Sequence, residues 1–91
     1  MAVSIKLPTP LRRHTQQTKV VQVQASSVGE ALQNLAARYP GLADALYGAD
    51  GALKPFVRVF VGGRDIVDLQ GPHTPVADGE TISIVPPIAG A

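Results

Sequence analysis

Cysteine is absent from the 91 residues, which removes disulfides, iron–sulfur clusters, thiol nucleophiles and thiolate metal sites at once. Stability must come from packing alone. A large surplus of charge of one sign is also missing. Eight basic residues stand against seven acidic ones, a net +1, too small a surplus for the electrostatic footprint of a nucleic-acid binder. The one basic cluster, Arg12-Arg13-His14, reads as a solvated loop. No apolar run reaches the ~20 residues of a membrane span. The N-terminal stretch alternates from its start and lacks the charged-then-apolar order of a signal peptide, so the expected location is the cytoplasm. His14 and His73 are far apart and have no third ligand at metal spacing. Neither Thr15 nor Ser27 has the His–Asp setting of a nucleophile, and Gly62-Gly63 is not followed by the Lys-Ser/Thr of a phosphate loop. The spacing of Asp65 and Asp68 fits a solvated strand end better than paired catalytic carboxylates.

What is present is a chain that is 45% hydrophobic, enough for one domain with a single core. Val3, Ile5 and Leu7 alternate with polar residues, as Val21 and Val23 do within Lys19 to Gln24; both segments read as half-buried strands joined by a polar loop, Leu11 to Gln17. Ser27-Val-Gly-Glu30 matches a capping box, and Val28, Ala31, Leu32, Leu35, Ala36 and Tyr39 follow at helical spacing until Pro40-Gly41 stops the helix. Leu42 to Tyr47 has room for one more short turn. Phe56 to Val61 is the most β-prone run, turned by Gly62-Gly63 into a short partner strand, Arg64 to Val67. Asp78-Gly79 then leads into a last strand, Thr81 to Val85.

The order ββαβββ implies an α+β domain with one sheet covered on one face by a helix. The expected core is Val3, Ile5, Leu7, Val21, Val23, Val57, Val59, Val61, Ile82 and Ile84 against Val28, Leu32 and Leu35. Phe56, Arg58 and Phe60 then lie on the opposite, open face, with Val85 and Lys6. An aromatic beside an arginine is the composition of an interface anchor.

After the last strand the chain ends Pro86-Pro87-Ile88-Ala89-Gly90-Ala91. Two prolines cannot continue a ladder, so residues 86–91 are expected to leave residues 1–85 as a flexible arm of roughly 20 Å at ~3.3–3.6 Å per residue. The element order resembles the ubiquitin-like β-grasp fold. The run from Asp78 to Gly90 resembles the end of the small sulfur carriers, among them the small subunit of molybdopterin synthase and the thiamine-pathway carrier. Pro8 to Thr15, Tyr39-Pro40-Gly41 and Phe56 to Asp65 resemble the carrier of cysteine biosynthesis in particular.

This resemblance implies a protein that is not an enzyme and holds no cofactor of its own. A ubiquitin-activating-type adenylating enzyme would spend ATP on the C-terminal carboxylate, a sulfur donor would convert it to a thiocarboxylate, and a downstream synthase would take the sulfur. The reactive terminus would be Gly90 and Ala91, with Pro86, Pro87, Ile88, Ala89, Val85, Arg58 and Phe60 meeting the partners. The free chain is expected to be a monomer, and no nucleic acid or membrane is implied. The family ends in Gly-Gly, whereas this chain ends in Gly90-Ala91. The alternatives are a ubiquitin-like protein modifier joined to lysines, or a binding domain without terminal chemistry if Ala91 prevents activation.

Overall fold

A computed structural model describes residues 2–54 and 57–85. Five strands form one mixed sheet: β1 (Ala2–Lys6), β2 (Val20–Gln24), β3 (Arg58–Val61), β4 (Arg64–Asp65) and β5 (Thr81–Val85), in spatial order β2-β1-β5-β3-β4. β1 pairs antiparallel with β2 and parallel with β5, while β3 pairs antiparallel with both β5 and β4. The last strand in sequence is thus central in space. This is the expected β-grasp arrangement.

Two helices, α1 (Val28–Arg38) and α2 (Pro40–Leu46), cover one face. α1 starts where the Ser27 Oγ accepts the Glu30 N–H at 3.2 Å. The Glu30 carboxylate reaches back to the Ser26 N–H at 2.7 Å, one residue earlier than in the usual box, so two otherwise unpaired N–H groups are satisfied. Its buried stripe, Val28, Ala31, Leu32 and Leu35, faces Val3, Ile5, Val21, Val23, Val59, Val61, Ile82 and Ile84 from the sheet, all buried.

The structure corrects the sequence reading at four places. Pro40 not only closes α1 but opens α2 from its first turn, where a missing N–H costs nothing; α2 then buries Leu42 and Leu46 completely. The segment expected to be a polar loop is a 3-10 helix, Thr9–Thr15, and Thr15 is fully buried with its hydroxyl directed to the carbonyls of Arg12 and Thr18. Within it Arg12 is half-buried and donates from Nε to the Leu7 carbonyl at 3.1 Å, while Arg13 is exposed. The strand expected over Arg64 to Val67 stops at Asp65, whose carboxylate accepts the Val67 N–H at 3.0 Å and turns the chain into a 3-10 segment, Ile66–Asp68. A short carboxylate offers the backbone a local partner that competes with the ladder. Finally, β3 begins at Arg58. Val57 precedes it, half-buried, with its N–H on the Lys54 carbonyl, while Phe56 lies outside the described residues.

Candidate partner interface

The face of the sheet turned away from the helices is the open one, and register decides which residues meet there. In β5, Ile82 and Ile84 are buried, so Thr81, Ser83 and Val85 face the other way; in β3, Val59 and Val61 are buried, so Arg58 and Phe60 do. Lys6 pairs with Ser83 in β5, Ser83 with Phe60 in β3, and Phe60 with Asp65 in β4. On the far side Lys6 pairs with Val20. One row therefore crosses the whole sheet: Val20, Lys6, Ser83, Phe60, Asp65. Arg58 lies opposite Val85 in the next row.

Phe60 is half-buried although it lies on the open face. Around it, Arg58, Gly63, Arg64, Asp65 and Asp68 line a shallow hollow. The Arg58 guanidinium approaches the Asp65 carboxylate at 3.8 Å. With Arg58 exposed, such a pair adds little stability; it places the charged end of Arg58 beside Asp65 at the hollow. The Asp65 carboxylate thus has two local tasks, pairing with Arg58 and capping the following turn.

Of the residues that the sequence marked for partner contact, Phe60, Arg58 and Val85 share this face with Lys6. Pro86, Pro87, Ile88, Ala89, Gly90 and Ala91 lie outside the described residues. Three members of the row, Val20, Ser83 and Asp65, were missed, Asp65 having been read only as a solvated strand end. Val20 is 46% exposed, and the Val20-Val21 doublet announces it, since a buried Val21 forces its neighbour outward. Ser83, between the buried Ile82 and Ile84, carries the same signal; its place at the midpoint of the row comes from the insertion of β5 between β1 and β3.

The geometry can be set beside known proteins. Residues 5–90 match the ThiS family model. The chain belongs to the ThiS family. Among curated relatives of this family member, sulfur carrier protein CysO of Mycobacterium tuberculosis is 34% identical over 92 residues, covering 99% of each chain. Small archaeal modifier protein 3 of Haloferax volcanii is 45% identical over 65 residues, 71% of this chain and 70% of that one. Among solved structures, that of the Amycolatopsis orientalis BexX/CysO complex aligns with a TM-score of 0.87 at 31% identity, over 98% of this chain and 99% of its counterpart.

Proposed function

We propose that this ThiS-family chain is a sulfur carrier, a substrate of enzymes rather than an enzyme, whose terminal carboxylate is activated and exchanged for a thiocarboxylate. The observation that carries the reading is the full-length similarity to a sulfur carrier protein, joined to a fold that places the strand before the tail at the centre of the sheet. In the first step the carboxylate of Ala91 attacks the α-phosphorus of ATP on an adenylating partner, releasing pyrophosphate and leaving an acyl-adenylate. A sulfur donor then displaces AMP, and the resulting thiocarboxylate passes its sulfur to an acceptor enzyme. The chain contributes no acid or base. It supplies a terminus, the reach of residues 86–91 and a docking face built on Phe60, Arg58 and Val85. Cysteine biosynthesis is the destination we favour, on the similarity to CysO, and the cytoplasm is the compartment where ATP and both partners would meet the carrier.

Ala91 carries a methyl where the family has glycine. A channel shaped around glycine would hold the carboxylate off its reacting position, and a misplacement of ~1 Å can cost about a hundredfold in rate. The test is intact-mass measurement after incubation with ATP, sulfide and the adenylating enzyme of the same host, on wild type and Ala91→Gly. Replacement of one oxygen by sulfur at the terminus is expected, faster in Ala91→Gly. A terminus that remains a carboxylate in both forms refutes the carrier reading. Phe60→Ser is expected to weaken the complex with that enzyme while leaving the fold intact. The similarity to small archaeal modifier protein 3 favours a second reading, attachment to lysines; branched peptides ending at Ala91 in host digests would establish it.

A further inference from the structure

β2 is an outer strand of the sheet, and its free edge faces outward with a known set of backbone groups. The Ser4 N–H donates to the Glu80 carbonyl, so Ser4 directs its backbone toward β5, and Val3 and Ile5 direct theirs toward β2. Their register partners Val23 and Val21 point back. Val20, Gln22 and Gln24 therefore turn N–H and C=O groups away from the sheet. An edge of this kind is a template for another strand.

Two side chains of α1 occupy two of its three acceptors. The Asn34 amide donates to the Gln24 carbonyl at 2.6 Å, and the Arg38 guanidinium donates to the Gln22 carbonyl at 2.9 Å. The spacing is a physical match. Four residues of helix advance about 6 Å at ~1.5 Å each, and two residues of strand about 6.8 Å at ~3.4 Å each. Residues four apart on one helix face thus reach alternate carbonyls of one edge. Among the described residues no acceptor reaches the outward N–H groups of Gln22 and Gln24. The opposite edge has no comparable length: β4 is two residues long and turns away at Asp65.

We propose that the β2 edge is a strand-pairing surface for a second copy of this chain, held closed by Asn34 and Arg38. The edge is self-complementary. In an antiparallel pair about a two-fold axis through Gln22, that residue faces its own counterpart and Val20 faces Gln24, so every outward group of one strand meets an outward group of the other. The same pairing covers Val20, which is 46% exposed in the single chain. With the Gln22 and Gln24 carbonyls taken by side chains, four of the six hydrogen bonds of that pairing lack a free acceptor and the chain remains single, with its open face accessible.

The test is sedimentation equilibrium on wild type and on the double variant Asn34→Ala/Arg38→Ala, with circular dichroism to verify folding. Alanine is the best helix former, so α1 retains its propensity. Wild type is expected at monomer mass, and the double variant is expected to add a species of about twice that mass. Adding Gln22→Lys places like charges directly opposite each other across the two-fold axis, which opposes pairing, and should return the variant to monomer. If the double alanine variant does not fold, Asn34→Asp/Arg38→Met, which retains bulk but cannot donate, is read the same way. A folded variant that stays monomeric, a dimer that survives Gln22→Lys, or a wild type already dimeric overturns the proposal.

Discussion

Thr15→Val removes one hydroxyl from a fully buried site and changes almost nothing else in volume. The Thr15 Oγ1 lies 3.0 Å from the Thr18 carbonyl and 3.2 Å from the Arg12 carbonyl, and its single proton serves one of them at a time. The Arg12 carbonyl also accepts the Gln17 N–H at 2.7 Å, so it is not orphaned by the substitution. The Thr18 carbonyl loses its side-chain donor. The loss is therefore one hydrogen bond, about 0.5–1.5 kcal/mol, with an added cost to the extent that water fails to reach the half-buried Thr18. That bond closes a turn in which Gln16 and Gln17 both hold positive φ, 56° and 67°. Two consecutive non-glycine residues in this region resist it by ~1–2 kcal/mol each, so the hydroxyl opposes a real tendency to open. We expect Thr15→Val to lower stability by ~1 kcal/mol, or Tm by about 4–8 °C for a domain of this size. Urea titration of wild type, Thr15→Val and Thr15→Ser separates the two parts of the side chain: serine retains the hydroxyl and loses the methyl. If valine matches wild type while serine is destabilised, Thr15 only fills space and the hydrogen-bond argument is wrong.

Two further outcomes follow from single positions. A Cβ on Gly29 would stand 3.0 Å from the Pro72 carbonyl oxygen and 3.2 Å from its Cβ, so Gly29→Ala must shift α1 or the Gly71–His73 turn; the strain, ~1–3 kcal/mol, exceeds the ~1 kcal/mol gained in helix propensity, and the denaturation midpoint should fall. Burial of the Tyr47 phenol raises its pKa above the ordinary value, so the folded chain holds this proton more tightly than the unfolded one; stability should be undiminished below about pH 10 and decline as pH rises past it, and Tyr47→Phe should flatten that decline in denaturation midpoints measured from pH 9 to 11.

Local patterns revealed the parts of the fold that depend on near neighbours. Strand alternation in β1 and β2, the Ser27–Glu30 start of α1 and the Gly62-Gly63 turn, whose glycines take φ of 58° and 81°, all rest on residues within one element. What escaped depends on competition or distance. Seven residues of α2 are too few to show a period, and Pro40 reads as a stop when it is also a start. At Ile66 the alternation pointed to more strand, yet Asp65 captured the next N–H and sent Ile66 into the core while leaving Val67 82% exposed. The open face was legible in outline, because alternation assigns Arg58, Phe60 and Val85 to one side. Their rows were not, since register across β1, β5 and β3 joins residues more than seventy positions apart.

The position of β5 ties stability to the proposed chemistry. It is the only strand hydrogen-bonded to both β1 and β3 among the described residues, so without it the sheet separates into a β1–β2 hairpin and a β3–β4 hairpin. Neither two-stranded unit is stable alone in water. The start of the chain is fastened to the approach to the same strand: the Ala2 N–H donates to Asp78 Oδ1 and the Gly79 N–H to the Ala2 carbonyl, each at 2.8 Å. In the proposed function, a partner that draws on the residues after β5 pulls against a strand paired with β1 as far as Ser83 and with β3 as far as Val85, and against Ala2, clamped to the turn before it. An outer strand in that position would peel, losing its ladder one bond at a time. A central strand transmits the load to two neighbours at once, so the fold suits the proposed function, in which a partner holds the terminus while Phe60 and Val85 keep their places on the open face.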